Sequence, residues 1–184
     1  MLDTIEYKNC VIEVHQDYDA LNPMTEYHHL GRMICWHKRY QLGHDHDFSN
    51  EDDFFDQLKE EGPLIKLPLY LHDHSSITIK TTSFSYPWDS GKVGWIYCTK
   101  QQARNCLGVK RLNEKHLGTI KEILIAEVNL YDQYLKGEVY GYVTKRKNYF
   151  GQEGAEIINS CWGFFEQDYM IDQAKEEIDD SVPH

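Results

Sequence analysis

Apolar and polar positions alternate along residues 7–16, where Cys10, Ile12 and Val14 fall on one parity, the period of a half-buried strand. The Asp- and Asn-rich stretch from Asp17 to Pro23 ends it. A short apolar run, Met33 to His37, predicts a second strand. Between Gly43 and Gly62 the period changes. Phe54, Phe55 and Leu58 stand at helical spacing behind Ser49 or Asn50 as N-cap, with acids in the first turn and a glycine stop. Residues 67–99 read as three strands, LPLYLHD, ITIKTT and KVGWIYCT, joined by links with turn chemistry and therefore paired antiparallel. Residues 112–136 carry the clearest helical pattern, with Leu117, Ile120, Leu124, Val128, Tyr131 and Leu135 at three- and four-residue steps and Gly137 as its stop. EVYGYVTK and EIINSCWGFF then flank the polar link RKNYFGQEG as a hairpin. A last, acidic helix over 167–178 places Met170, Ile171, Ala174 and Ile178 on one face.

These elements predict an α+β fold: a mostly antiparallel sheet of five or six strands, with one long helix and shorter acidic helices packed on it. The expected organisation is a single domain over residues 1–180 with a loose tail at 181–184.

Composition narrows the setting. The chain has 184 residues, 41% of them apolar, enough for a core without disulfide or metal staples. Its five cysteines are scattered and never spaced as CxxC, so they read as reduced thiols and predict a cytoplasmic location. The N-terminus lacks the pattern of a secretory signal, and no apolar run approaches a membrane span. The formal net charge of −11 argues against nonspecific binding to nucleic acid or to an anionic membrane and favours a basic partner. Charge is uneven: residues 45–61 hold eight acids against Lys59, and 166–180 hold seven against Lys175, whereas 100–121 is basic.

Candidate chemistry centres on ten histidines, several beside acids. In His44-Asp45-His46-Asp47 an extended backbone puts both imidazoles on one face, which gives two ligands for a divalent metal such as zinc, manganese or iron. Asp17 and Asp19 are further metal candidates, although the glycine and distal glutamate of a calcium loop are absent. A divalent metal is the one cofactor these residues suggest. His72, Asp73 and His74 are the acid/base candidates, at a strand end where Asp73 or another carboxylate would polarise His74. A simple meander sets this turn about 20 Å from the PWDSG loop at 87–91, because Ile77 to Thr82 lies between them at about 3.3 Å per residue. On that reading the two segments share no catalytic centre. No GxSxG, Walker A, dinucleotide-binding, HExxH or kinase motif is present.

Several strings together resemble an uncharacterised family of small proteins carried by bacteriophages and related mobile elements: QDYDALNP, PLYLHDHSSITI, PWDSGKVGWIY, YDQYLKGEVYGYV and NSCWGFF. The resemblance spans about residues 13–165. Ser76 stands where that family usually has a glycine. What the resemblance implies is context, since small acidic accessory proteins of this kind bind and block host enzymes, restriction complexes or CRISPR effectors.

Two functional expectations follow. The first is a phage-type binding module, acting in the host cytosol, that inhibits or modulates a host defence or nucleic-acid-processing complex. It engages that protein or nucleoprotein partner's basic surface through Glu51, Asp52, Asp56 and Glu60, on a helix that is preorganised where the segment 176–180 frays. The alternative is a metal-dependent or His/Asp hydrolase acting on a nucleotide or other phosphorylated small molecule, built on His72, Asp73 and His74 with Asp17 and Asp19. A homo-oligomeric scaffold is a third arrangement consistent with the composition.

Overall fold

The computed structural model describes all residues except 75, 86–87, 148–152 and 182–184, with backbone alone at 153–155. The expected turn residue at 75, the proline of PWDSG, the tip of the 146–154 link and the end of the tail therefore lie outside the described residues. In chain order the elements are β1 (Asp3–Tyr7), β2 (Cys10–Gln16), α1 (Pro23–Glu26), β3 (Arg32–Cys35), α2 (Glu51–Glu61), β4 (Pro63–Asp73), β5 (Ile77–Lys80), β6 (Ser90–Thr99), α3 (Lys100–Leu107), α4 (Glu114–Lys136), β7 (Tyr140–Lys147), β8 (Glu153–Phe164) and α5 (Gln167–Ser181).

The fold is α+β with antiparallel strands throughout, but the strands divide between two sheets of four, ordered β1-β2-β7-β8 and β3-β6-β4-β5. The single sheet of five or six strands is replaced because β2 pairs with β7 across most of the sequence, Cys10 opposite Arg146 and Gln16 opposite Tyr140. Local periodicity carries no information about such a distant partner. The chain accordingly packs as two compact units, one formed by 1–21 with 137–184 and the other by 22–136.

In the first unit, Cys10, Ile12, Val14 and Tyr142 face α5, which returns Met170, Ala174 and Ile178 at four-residue steps. Strand β1 was not legible in the acidic N-terminus. It exists because the two-residue turn Lys8-Asn9, with Lys8 at φ 51°, folds Asp3–Tyr7 back onto β2. Helix α5 runs past residue 178 to Ser181: Ile178 completes the apolar stripe, and Asp179 pairs with Lys8 at 2.7 Å. The segment 176–180 is thus part of a docked helix, and the expectation of a fraying terminus is corrected.

The second sheet is a middle layer. From β6, Ile96 and Cys98 turn toward α4, while Trp95 and Tyr97 turn toward α2, as the two-residue strand period requires. Helix α4 lays Ile120, Leu124, Val128 and Tyr131 on one face of the sheet, all essentially solvent-free. On the other face α2 inserts Phe54 and Leu58 beside Ile34 and Tyr97. Helix α3 has no apolar periodicity to betray it. Its signals are chemical: a Thr99–Gln102 capping box and Gly108 at φ 64°.

Two carboxylates on α4 bind backbone outside the helix. Glu127 accepts the Leu30 and Gly31 N–H groups at 2.6 and 2.9 Å. Asp132 accepts the Ile79 N–H at 2.8 Å, on the free edge of β5. Gly94 lies where β3 comes so close that a Cβ would sit 2.8 Å from the Cys35 Cα and collide with the Ile34 carbonyl. Replacing Glu127 by Gln leaves one of the two N–H groups facing an amide donor. The expected loss is about 1–3 kcal/mol of unfolding free energy. Urea unfolding of the full chain measures it, and an unchanged midpoint would show that this carboxylate does not hold the 30–31 segment.

Candidate functional site

Helix α2 presents the densest fixed charge in the second unit. Asn50 caps it, accepting the Asp52 and Asp53 N–H groups at 2.9 and 3.0 Å, and Gly62 stops it at φ 64°. With Phe54 and Leu58 buried beneath, Asp52, Asp53, Asp56 and Glu60 point outward on successive turns. Acids in the first turn also suit the helix dipole. Of the four residues expected to meet a partner, Asp52, Asp56 and Glu60 are exposed. Glu51 is not available: its carboxylate accepts the Lys92 ammonium at 2.6 Å and the Trp95 indole N–H. That hydrogen bonding to Lys92, against the cost of burial, holds Glu51 below the ordinary carboxylate pKa. Glu51 anchors α2 to β6, and at the other end Glu61 accepts the Tyr97 hydroxyl at 3.2 Å. Asp56 is bridged to exposed Lys59 at 2.8 Å within the helix.

His72, Asp73 and His74 end β4, and here the structure corrects the sequence geometry. The turn and the loop before β6 meet. The Asp73 N–H donates to the Asp89 carbonyl at 3.0 Å, and His74 Nδ1 lies 3.5 Å from Asp89 Oδ2. The reason is strand order: β4 sits between β5 and β6, with His72 opposite Thr78 on one side and Ser90 on the other. Residues 81–89 are enough chain to run back along the four-residue β5 and start β6 beside the end of β4. Arg39, which no local pattern singled out, forms an ion pair with Asp73. His74 is 72% exposed and Trp88 93% exposed. The dyad is therefore solvated rather than enclosed.

The HDHD segment has a structural explanation. Strand β3 is an edge strand, and His44 and His46 cover its open side. The His44 N–H donates to the Met33 carbonyl at 2.9 Å, and His44 Nδ1 accepts the Met33 N–H at 3.0 Å. His46 Nε2 donates to the Cys35 carbonyl at 2.8 Å, and its buried Nδ1 has no hydrogen-bond partner among the described residues. The loop they hold encloses an open pocket of about 640 Å³, lined by Trp36, His37, Arg39, Tyr40, His44 and His46 among others. Tyr131 on α4 fixes the same loop, its hydroxyl accepting the Gly43 N–H at 3.0 Å.

Asp17 and Asp19 belong to the first unit, whereas His44, His46, His72 and His74 belong to the second. Asp17 Oδ1 accepts the Asp19 N–H at 3.1 Å, closing a local turn. Among the described residues no three His, Cys, Asp or Glu side chains are placed to hold a metal ion. Also among them, no helix is long and apolar enough to cross a membrane. No family model, curated protein or solved structure matches this chain.

Burial lowers the pKa of His44 below 6.5, helped by the positive charge that protonated His29 would bring. The unfolded chain therefore takes up a proton near pH 6.5 while the folded chain resists until lower pH. Stability from this group is complete above 6.5 and falls as pH drops toward the folded pKa. Unfolding free energies between pH 7.5 and pH 5.5 should decline less in His44→Asn than in the wild type. Parallel declines would show that His44 does not carry this dependence.

Proposed function

We propose that this chain is a binding module of the phage accessory type, which docks on a basic surface of a host protein or nucleoprotein complex through the outward face of α2. The observation that carries this reading is the fixed array of Asp52, Asp56 and Glu60. It stands on a helix anchored by Phe54 and Leu58 and tied at both ends, by Glu51 to β6 and by Glu61 to Tyr97. A partner does not have to order these carboxylates, so little conformational entropy opposes their use. The net charge of −11 steers the chain toward basic surfaces of the kind that otherwise contact phosphates. The resemblance to mobile-element proteins supplies the context of a nucleic-acid-processing or defence complex.

Capture from a host lysate tests it. A partner retained by the wild type at about 0.1 M salt should be released at about 1 M, where screening shortens to about 3 Å. It should also be lost at low salt by the combined variant Asp52→Asn, Asp56→Asn, Glu60→Gln, whose far-UV spectrum stays that of the wild type. Retention by the triple variant, or indifference to salt, would contradict the proposal. The terminal helix is not a neutral comparison, because truncation after Glu177 removes buried Ile178 and the Lys8 partner Asp179.

A second reading, a His/Asp hydrolase of a nucleotide or other phosphorylated small molecule, is favoured by one observation: the approach of His74 to Asp89 beside the Arg39–Asp73 ion pair. It predicts turnover of a phosphate ester or nucleotide by purified protein, lost in both His74→Ala and Asp89→Asn. Absence of turnover with and without added divalent cations would remove it.

A further inference from the structure

After β3 the chain leaves the sheet and then returns to it. Trp36 donates its backbone N–H to the Val93 carbonyl at 2.7 Å, and Gly43 bridges Ile34 on the open side of β3. Residues 36–42 thus form a loop whose ends lie together, a compact kind of loop that is frequently functional. Its side chains are tied down. Trp36 Nε1 donates to the Phe48 carbonyl at 3.0 Å, and the indole meets the His46 and Phe54 rings edge-on at 5.3 and 5.8 Å. Arg39 is held by Asp73, while Cys35 and Leu42 are buried. The hollow of about 640 Å³ that this loop encloses falls in the range of small-molecule sites, about 300–1,000 Å³.

The chemistry of the lining runs against that of the chain. Thirty acids face nineteen basic side chains in the whole sequence, yet the lining carries Lys38 and Arg39 and a single acid, Asp45, whose Oδ1 is occupied by the Gln41 amide at 2.5 Å. Lys38 is exposed and makes no ion pair among the described residues. Arg39 gives one nitrogen to Asp73, which orients a guanidinium that has further N–H groups to donate. His37 Nδ1 accepts the Arg39 backbone N–H at 3.4 Å, so the neutral ring carries its proton on Nε2 as a third donor. Flat surfaces accompany these donors. The His37 and Tyr40 rings lie parallel, 5.1 Å apart and 6° from coplanar, and Trp36 supplies a larger ring to the same hollow.

We propose that this loop binds a nucleoside monophosphate, with the base against the rings of Trp36, His37 and Tyr40 and the phosphate among Lys38, Arg39 and the His37 Nε2–H. The donors select an anion, and hydrogen bonds from ionised donors to phosphate are stronger than neutral ones. They stand on three successive residues, which suits one phosphate rather than a chain of them. The rings select a planar group, since every base has a face that stacks on an aromatic side chain. Because the loop is already tied to β3, β6 and β4, little ordering opposes binding. The site requires neither the acidic face of α2 nor turnover at His74, and either of those readings can fail without it.

Titration calorimetry of the full chain at one low ionic strength tests it, with each of the four ribonucleoside monophosphates, the matching nucleosides and inorganic phosphate. At least one monophosphate should bind at a single saturable site, with its nucleoside and inorganic phosphate each weaker by about tenfold or more, the worth of one charge-assisted hydrogen bond. Lys38→Gln, which changes an exposed side chain, should weaken that monophosphate about tenfold and leave the nucleoside unchanged. Tyr40→Leu should weaken nucleotide and nucleoside together, and if it does not fold, Lys38→Gln alone decides. Lys110→Gln, an exposed cation outside the loop, should bind as the wild type does. The proposal is overturned by absence of saturable binding with all four monophosphates, or by a nucleoside or inorganic phosphate that binds as tightly as the nucleotide. It is equally overturned if Lys38→Gln binds like the wild type or if Lys110→Gln loses as much, which would show diffuse charge attraction in place of a site.

Discussion

The burial of one stripe of α4 against the second sheet governs what that unit presents to solvent. Ile120, Leu124, Val128 and Tyr131 are four adjoining positions on one helix face, and the sheet beneath them meets them with Met33, Leu69, Ile79 and Ile96. A stripe this dry fixes helix and sheet as one body, since core side chains pack at crystal-like density and cannot slide without opening voids. The polar groups of α4 then become reference points. Glu127 ties down the segment before β3, Asp132 closes the edge of β5, and the Tyr131 hydroxyl holds Gly43 in the loop that leads to α2. The opposite face of the same sheet receives α2. The acidic array thus stands on a surface whose other side is locked by the core.

The division of labour among carboxylates follows from this arrangement. Thirty acids against nineteen basic side chains leave the chain strongly negative, yet those that touch the fold are few and well partnered. Glu13 accepts Lys145, Glu127 accepts two backbone N–H groups, and Glu177 takes the Tyr142 hydroxyl at 2.5 Å together with the Asn159 amide. Glu51 belongs with these, although its place in an acidic run gave it the look of a surface residue. What separates Glu51 from Asp52 is one step of helix rotation, about 100°, which turns the first toward Lys92 and Trp95 and the second toward water. Charge density in a sequence therefore overstates the acidic surface by whichever residues the helix turns inward.

Local order was legible and distant order was not. The α2 boundaries and the stripe of α4 are periodic signals, and each appears as an element with the expected buried face; β2 forms where its alternation predicts, but Val11 and Glu13 on its other face are buried as well, so it is not the half-buried strand expected. The β2–β7 pairing, which splits the strands into two sheets, and the β5-β4-β6 order, which brings Asp89 to His74, depend on contacts across tens of residues. Nothing in the 3.6- or two-residue period encodes them. The histidines of HDHD mislead for a related reason: imidazole next to carboxylate suggests ligation, whereas their nitrogens pair with the backbone of Met33 and Cys35 on an edge whose existence is itself a matter of topology. Arg39 was invisible because its partner, Asp73, lies 34 residues away.

The measurement that tests the binding role of α2 most directly is amide hydrogen exchange of the whole chain, free and in complex with a partner captured at low salt. Protection gained on binding should be concentrated in 51–61 and the adjoining start of β6, with 72–74 and 36–46 exchanging as in the free chain. Protection that gathers instead at 72–74, 89 and 36–46, leaving 51–61 unchanged, would move the functional site to the His74–Asp89 end of the sheet and contradict a role for the acidic helix.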